Sequence, residues 1–269
     1  MYVHVCKRDC LNDLKGVLFA FVQAGFNGGG MLSQFPVVAI NTSFHHNEAG
    51  RLGGGIHVNS KAYFNCTACN FWNNSAAMGG AMSSSDTASE AISINIKRSQ
   101  FLSNRALKGG AIDMKGSLSC SDVVFKGNKA GKGGALSLAS ETDVTPLSKL
   151  ERCQFLHNNA ASEGGGAVIN TQGDVVFLDC KWEGNSAGSS GGGLALGQHK
   201  GRLRLVDSSF ISNRVSSGGG GALSVTQHSD PIIMVGGCTF KSNQVRNLAV
   251  SISATASRYG SGSLLKGLM

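Results

Sequence analysis

The sequence predicts an all-β fold, a right-handed parallel β-helix of about eight coils with an N-terminal cap. Two observations carry that reading. An aromatic residue followed three positions later by an asparagine recurs eight times, and each copy leads into glycines and a short alternating apolar segment. The aromatics are Phe44, Phe71, Phe101, Phe125, Phe155, Trp182, Phe210 and Phe240; the asparagines are Asn47, Asn74, Asn104, Asn128, Asn158, Asn185, Asn213 and Asn243. Copies lie 24 to 30 residues apart, and a unit that short buries its apolar face only by stacking on its neighbours. Composition agrees: 38 glycines, three prolines and 15% charged residues in 269 suit tight turns and short strands.

Alternation within the repeat separates an inner face from an outer one. Five positions before the aromatic the residue is apolar: Ala39, Cys66, Ile96, Cys120, Leu150, Phe177, Leu205 and Val235. Two before, it is small: Thr42, Cys69, Ser99, Val123, Cys153, Cys180, Ser208 and Cys238. One before, it is mostly polar, as in Ser43, Asn70, Gln100 and Lys181. A second strand follows the glycines, as in residues 135–138, and a third holds pairs such as Val175 and Phe177. Coils pairing in parallel every ~4.8 Å make a rod on the order of 40 Å long, right-handed by the chirality of parallel crossovers. The stacked aromatics fill the interior. The asparagines are expected at turns with left-handed backbone, bonded to the asparagine of the next coil.

Three regions result: a cap over residues 1–27, repeats over 28–253 and a tail over 254–269. Residues 16–26 are apolar but too short to span a bilayer, and no small-residue cleavage site follows, so no clear signal peptide is read. Leu11, Leu14, Leu18 and Phe21 recur at near-helical spacing, which predicts an amphipathic helix closing the first coil.

The pairing of Phe-x-x-Asn with Gly79-Gly80-Ala81-Met82, Gly109-Gly110-Ala111-Ile112 and Gly133-Gly134-Ala135-Leu136 resembles the repeats of chlamydial polymorphic outer membrane proteins. The resemblance implies a β-helical autotransporter passenger, extracellular or on the cell surface (the outer membrane in a bacterium), and acting in adhesion. Two alternatives stand beside it: a polysaccharide lyase or hydrolase of the pectin-degrading β-helix type, and a fragment of a larger eukaryotic repeat protein.

Catalysis is not expected. A polysaccharide-cleaving β-helix needs clustered carboxylates on an exposed ladder. The column after the glycines, read here as exposed, holds His57, Ser83, Asp113, Ser137, Ile169, Ala195, Ser224 and Ser251, with one acid among them. Three positions before the aromatic, Arg98, Asp122, Arg152 and Asp179 alternate in sign before Asp207 ends the series, an exposed ion-pair ladder of little energetic weight. Turns of the middle coils carry Arg105, Lys108, Lys126, Lys129 and Lys132, a candidate anion-binding patch.

Cys153 and Cys180 fall in adjacent coils at a spacing a disulfide accepts, and that pairing is left open. Cys6 and Cys10 lie in the cap. Cys66 and Cys69 have redox-motif spacing without the helix that chemistry requires. His45, His46 and His57 read as surface histidines rather than a metal site. No cofactor is implied. The net charge of +8 is dispersed, so nucleic acid is disfavoured, and an anionic glycan or a cell-surface protein is the expected partner.

Overall fold

The computed structural model describes residues 4–5, 13–59, 62–85, 92–140, 147–225, 232–246 and 252–254. All the regular structure among them is β, and every ladder is parallel. Four sheets run along the rod, here numbered in the order in which the chain meets them in each coil. Sheet I has nine strands, from Asp13–Lys15 through Tyr63–Thr67 to Ile232–Gly236, and sheet II has nine, from Leu18–Ala20 through Asn70–Trp72 to Thr239–Lys241. Sheet III consists of two-residue strands such as Lys129–Ala130 and Asn159–Ala160. Sheet IV has ten strands, including Met31–Ser33, Ile56–Val58 and Leu223–Val225.

The inner faces of sheets I, II and IV enclose one apolar cluster that runs from Leu14 to Val225. Sheet I contributes Phe64, Ile94, Leu150 and Phe177, and sheet IV contributes Ile56, Met82, Leu136 and Leu194, all fully buried. A second, smaller cluster of Ala160, Ala187, Val215 and Val245 lies under sheet III, a strand that the sequence reading did not anticipate.

Among the described residues the expected helical cap is not present. Asp13–Lys15 and Leu18–Ala20 are strands, pairing with Val38–Ile40 and Ser43–His45. Leu14 and Phe19 point inward while Leu18 is 61% and Phe21 73% exposed. Strand alternation therefore replaces a helical stripe, because the edge of the first full coil gains backbone hydrogen bonds at every second residue from a parallel strand and none from a helix laid across it. Phe19 heads a ninth rung of sheet II ahead of the eight repeats. Cys6, Cys10 and residues 255–269 lie outside the described residues, as does Leu11.

The glycine pair has two distinct roles. Gly109 sits at φ +60°, where a side chain is strained. At Gly110 a Cβ would run into the carbonyls of Gly134 and Lys129, so the turn stacks on the next coil only without one.

Candidate functional site

Within sheet II the aromatics form a continuous stack. Ring centroids of Phe19, Phe44, Phe71 and Phe101 follow each other at 4.7, 4.8 and 4.6 Å with interplanar angles of 3° or less. Trp182 sits in the same stack, 5.1 Å from Phe155 and 4.4 Å from Phe210. The spacing equals the strand repeat, so each ring sits offset over the next, the geometry aromatic quadrupoles prefer.

Three residues on, the asparagines form a buried hydrogen-bond ladder. Asn128 Nδ2 donates to Asn158 Oδ1 at 3.0 Å and to the Phe101 carbonyl at 2.9 Å, while Asn128 N donates to the same Asn158 oxygen at 2.9 Å. The pattern repeats from Asn47 through Asn243, whose Nδ2 donates to the Phe210 carbonyl. None of these asparagines adopts the left-handed backbone expected of them. That conformation belongs to the residue before: His46, Asn73, Ser103, His157, Ser212 and Ser242 have φ between 52° and 55°. The turn is made one residue early, which frees the asparagine amide to serve the neighbouring coil.

A second left-handed column went unread. It lies three positions before the aromatic and contains Asn41, Ala68, Arg98, Asp122, Arg152, Asp179 and Asp207, with φ from 48° to 57°, and Gly16 and Gly237. The signal was its enrichment in Asn, Asp and Gly, the types that tolerate this conformation. The next residue, in the small-residue column, caps the corner: Thr42, Ser99 and Ser208 hydroxyls donate to the carbonyl two residues back at 3.1, 2.8 and 2.9 Å, and the Cys69, Cys153 and Cys180 thiols do so more weakly.

The charges of this column pair at one place. Arg152 Nε and Nη2 donate to the two oxygens of Asp122 at 2.7 and 3.0 Å, and Arg152 also meets Glu151. The hydrogen bonds from Arg152 hold the Asp122 carboxyl below its ordinary range. A groove of about 500 Å³ runs along the column, lined by Asp122, Arg152, Asp179, Lys181 and Asp207. It is shallow and mixed in sign.

The column after the glycines is not exposed. His57, Ser83, Asp113, Ser137, Ile169, Ala195 and Ser224 are all buried, because the glycine turn folds over the outer side of sheet IV. A Cβ on Gly79 would stand 2.9 Å from Ser83 Cβ. The rungs also differ from the sequence alignment: Ser137 pairs with Val168 rather than Ile169, and Ser224 with Ser253 rather than Ser251, which lies outside the described residues. His57 Nδ1 and Nε2 meet the hydroxyls of Ser83 and Ser85 at 2.8 and 2.9 Å. Burial pushes its pKa down to about 4. Burial raises the pKa of Asp113, opposed by the Lys108 ammonium 3.7 Å away and by the Ser137 hydroxyl. A polymer has no access to this acid.

The basic residues divide among three columns. Arg105 and Lys129 stack on one another, as do Lys108 and Lys132, while Lys126 projects from sheet II beside Leu102 and Leu156. Lys108 faces Asp113 and Lys132 faces Glu163 at 3.4 Å.

Cys153 and Cys180 are buried free thiols. Hydrogen bonding from Cys153, then burial, pushes the Cys180 pKa up. Cys153 is raised foremost by Cys120, so the thiol row extends to a residue that the sequence reading had placed apart. Cys66 and Cys69 also touch: burial and Cys69 raise Cys66, whereas its hydrogen bond lowers Cys69.

The histidines separate. His57 is inside sheet IV and not at the surface as expected, and His45 and His46 lie on the outside of sheet II against Phe21 and Trp72. Among the described residues no group of three or more His, Cys, Asp or Glu side chains could hold a metal ion, and no helix is long and apolar enough to cross a membrane.

Residues 122–139 match the family model of the Chlamydia polymorphic membrane protein repeat. The matched segment holds Phe125, Asn128 and the Gly133-Gly134 turn, the parts of one coil that build both ladders. A probable autotransporter of Escherichia coli strain K12, YfaL, is 27% identical over 171 residues, which is 57% of this chain and 14% of that protein. The chain thus matches a small part of its relative's length. No solved structure matches.

Proposed function

We propose that this chain is the rigid, surface-displayed solenoid of an autotransporter-like protein, acting without catalysis as a spacer and contact surface in adhesion. The observation that supports this most directly is the unbroken stack of coils, whose aromatic and asparagine ladders run from one end of the repeats to the other. A solenoid joined at every coil transmits shape over its length and offers its outer columns to a partner. The repeat match and the autotransporter relative support the surface setting.

Labelling intact cells that express the full-length protein tests the location: antibody against the repeats and added protease should both reach it. A protein protected until the cells are lysed would refute surface display. Incubation with uronic-acid polysaccharides tests the enzymatic alternative, and release of unsaturated or reducing ends would replace the contact role with catalysis. For the basic turns, an Arg105→Ser/Lys129→Ser variant should lose binding to sulfated glycan, and the wild-type binding should fall steeply with salt. Cys153 and Cys180, adjacent and reduced here, would form a disulfide on exposure to an oxidising exterior. Mass spectrometry of the protein recovered from the cell surface should show a linked peptide pair. Free thiols there would exclude the disulfide.

A further inference from the structure

The outer side of sheet II is aromatic only over its first rungs. There Phe21 stacks on His46 with centroids 4.8 Å apart and an interplanar angle of 8°, and His45 stacks on Trp72 at 4.5 Å and 23°. The two stacks interlock edge to face, His46 meeting Trp72 at 4.4 Å and 77°. His45 Nδ1 and His46 Nδ1 are 3.1 Å apart, and Asn73 Nδ2 lies 3.3 Å from His46 Nε2. The rings are therefore held in place before anything binds.

Two features distinguish this patch from chance surface aromatics. Phe21 and His46 occupy the left-handed column, at φ 55° and 54°. His tolerates this conformation and recurs in the column at His157, but a Phe there is an outlier, and the remaining rungs carry Asn, Ser or Gly. Such strain held at an exposed position points toward function. Charge is the second feature. Across the rungs of Phe19, Phe44, Phe71 and Phe101, the three outward columns of sheet II contain no carboxylate, lysine or arginine. Farther along, the column of His45 and Trp72 turns to Lys126, Glu183 and Lys241.

An uncharged surface offers nothing to an anionic polymer. Phe21, with one face on His46, is 73% exposed and leaves its other face to solvent; with the outward edges of the stacked His and Trp rings and the amides of Asn70, Asn73 and Gln100, it suits a ligand with a flat C–H face and a hydroxyl edge. We infer that Phe21, His45, His46 and Trp72 form a stacking platform for the pyranose rings of a neutral oligosaccharide. This deepens the contact role proposed above and rests on it, and it adds at the N-terminal rungs a neutral contact site separate from the basic turns.

The chain has two tryptophans, and Trp182 is fully buried in the aromatic ladder. A Trp182→Phe variant keeps the ladder aromatic and leaves Trp72 as the sole reporter. Titration with neutral hexose and N-acetylhexosamine oligosaccharides, to about 10 mM, covers the weak-binding range. The expected result is a saturable change in Trp72 emission, insensitive to salt. By calorimetry, Phe21→Ser should weaken binding about tenfold or more and Trp72→Ala should abolish it, with thermal melts unchanged. Phe21 is exposed enough that its variant folds even if the Trp72 variant does not. No saturable change with any sugar, or equal binding by the Phe21 variant, overturns the inference. So does self-association that disappears in the Phe21 variant, which would assign the patch to a second copy of the chain. None of these failures bears on surface display, which the cell-labelling experiment decides separately.

Discussion

Phe125 and Lys126 are neighbours in sequence on one strand of sheet II, yet their columns obey different rules. The inner column holds an aromatic on all nine rungs, from Phe19 to Phe240. The outer column changes from Ala20, His45 and Trp72 through Lys126 to Glu183, Ile211 and Lys241. Inside, each ring between the two ends is in contact with the rings above and below it, so a change on one rung is felt on both neighbours. Outside, water fills whatever a side chain leaves, and the residue is free to serve a partner. The stability of this fold therefore lives on the inner column and its differentiation along the rod on the outer one.

The sharpest test sets these two columns against each other. Phe125→Ala should lower unfolding free energy by about 3 to 5 kcal/mol, and Lys126→Ala by less than about 0.5 kcal/mol, as read from urea melts. Comparable losses would erase the distinction.

The next effect concerns the column under the glycine turn. The folded-state pKa of His57, about 4, lies below its unfolded value near 6.5. Between those pH values the unfolded chain binds more protons, so stability falls as pH drops from about 6.5 to 4, by roughly 3 kcal/mol at most. The raised pKa of Asp113 acts with the opposite sign, since its folded form takes up a proton first as pH falls. Urea midpoints measured across this range should decline toward acid in the wild type, and His57→Asn should remove the His57 share, leaving that of His199, whose pKa burial also lowers.

Asn128→Ala follows. It strands the backbone N–H of Asn104 in the interior and takes the side-chain donor from the Phe101 carbonyl, a loss of roughly 1 to 3 kcal/mol. A melt within error of wild type would mean that the ladder is satisfied by water instead. The smallest effect is expected at the exposed Arg152–Asp122 pair. Arg152→Ala should shift the melting temperature slightly at low salt and not at all in high salt, because solvent screens both partners.

The sequence made the inner columns legible because burial restricts residue type, and the restriction recurs at a fixed period. Aromatic, apolar and small-residue columns all came from that. Columns whose constraint is on backbone conformation were harder to see. Arg98 and Ala68 share a left-handed position with Asn41 and Gly237, and four different chemistries do not look like one column. The rung after Ser137 was misaligned because Gly164-Gly165-Gly166 admits two registers; the hydrogen bond from Ala135 N to the Gly166 carbonyl selects one. The N-terminal segment was misread because Leu14 and Leu18 fit a helical stripe, whereas an unpaired sheet edge favours a strand.

By itself, then, the sequence determined the parallel coil, its period and the residues that fill it, since burial and backbone pairing act alike on every copy. Tertiary structure alone decided what each outer surface became. Whether Asp113 meets solvent or lies beneath a glycine turn, and whether His46 lies near His57 or against Trp72, depends on which loop passes over which sheet. That placement arises between coils, where no period within one coil records it.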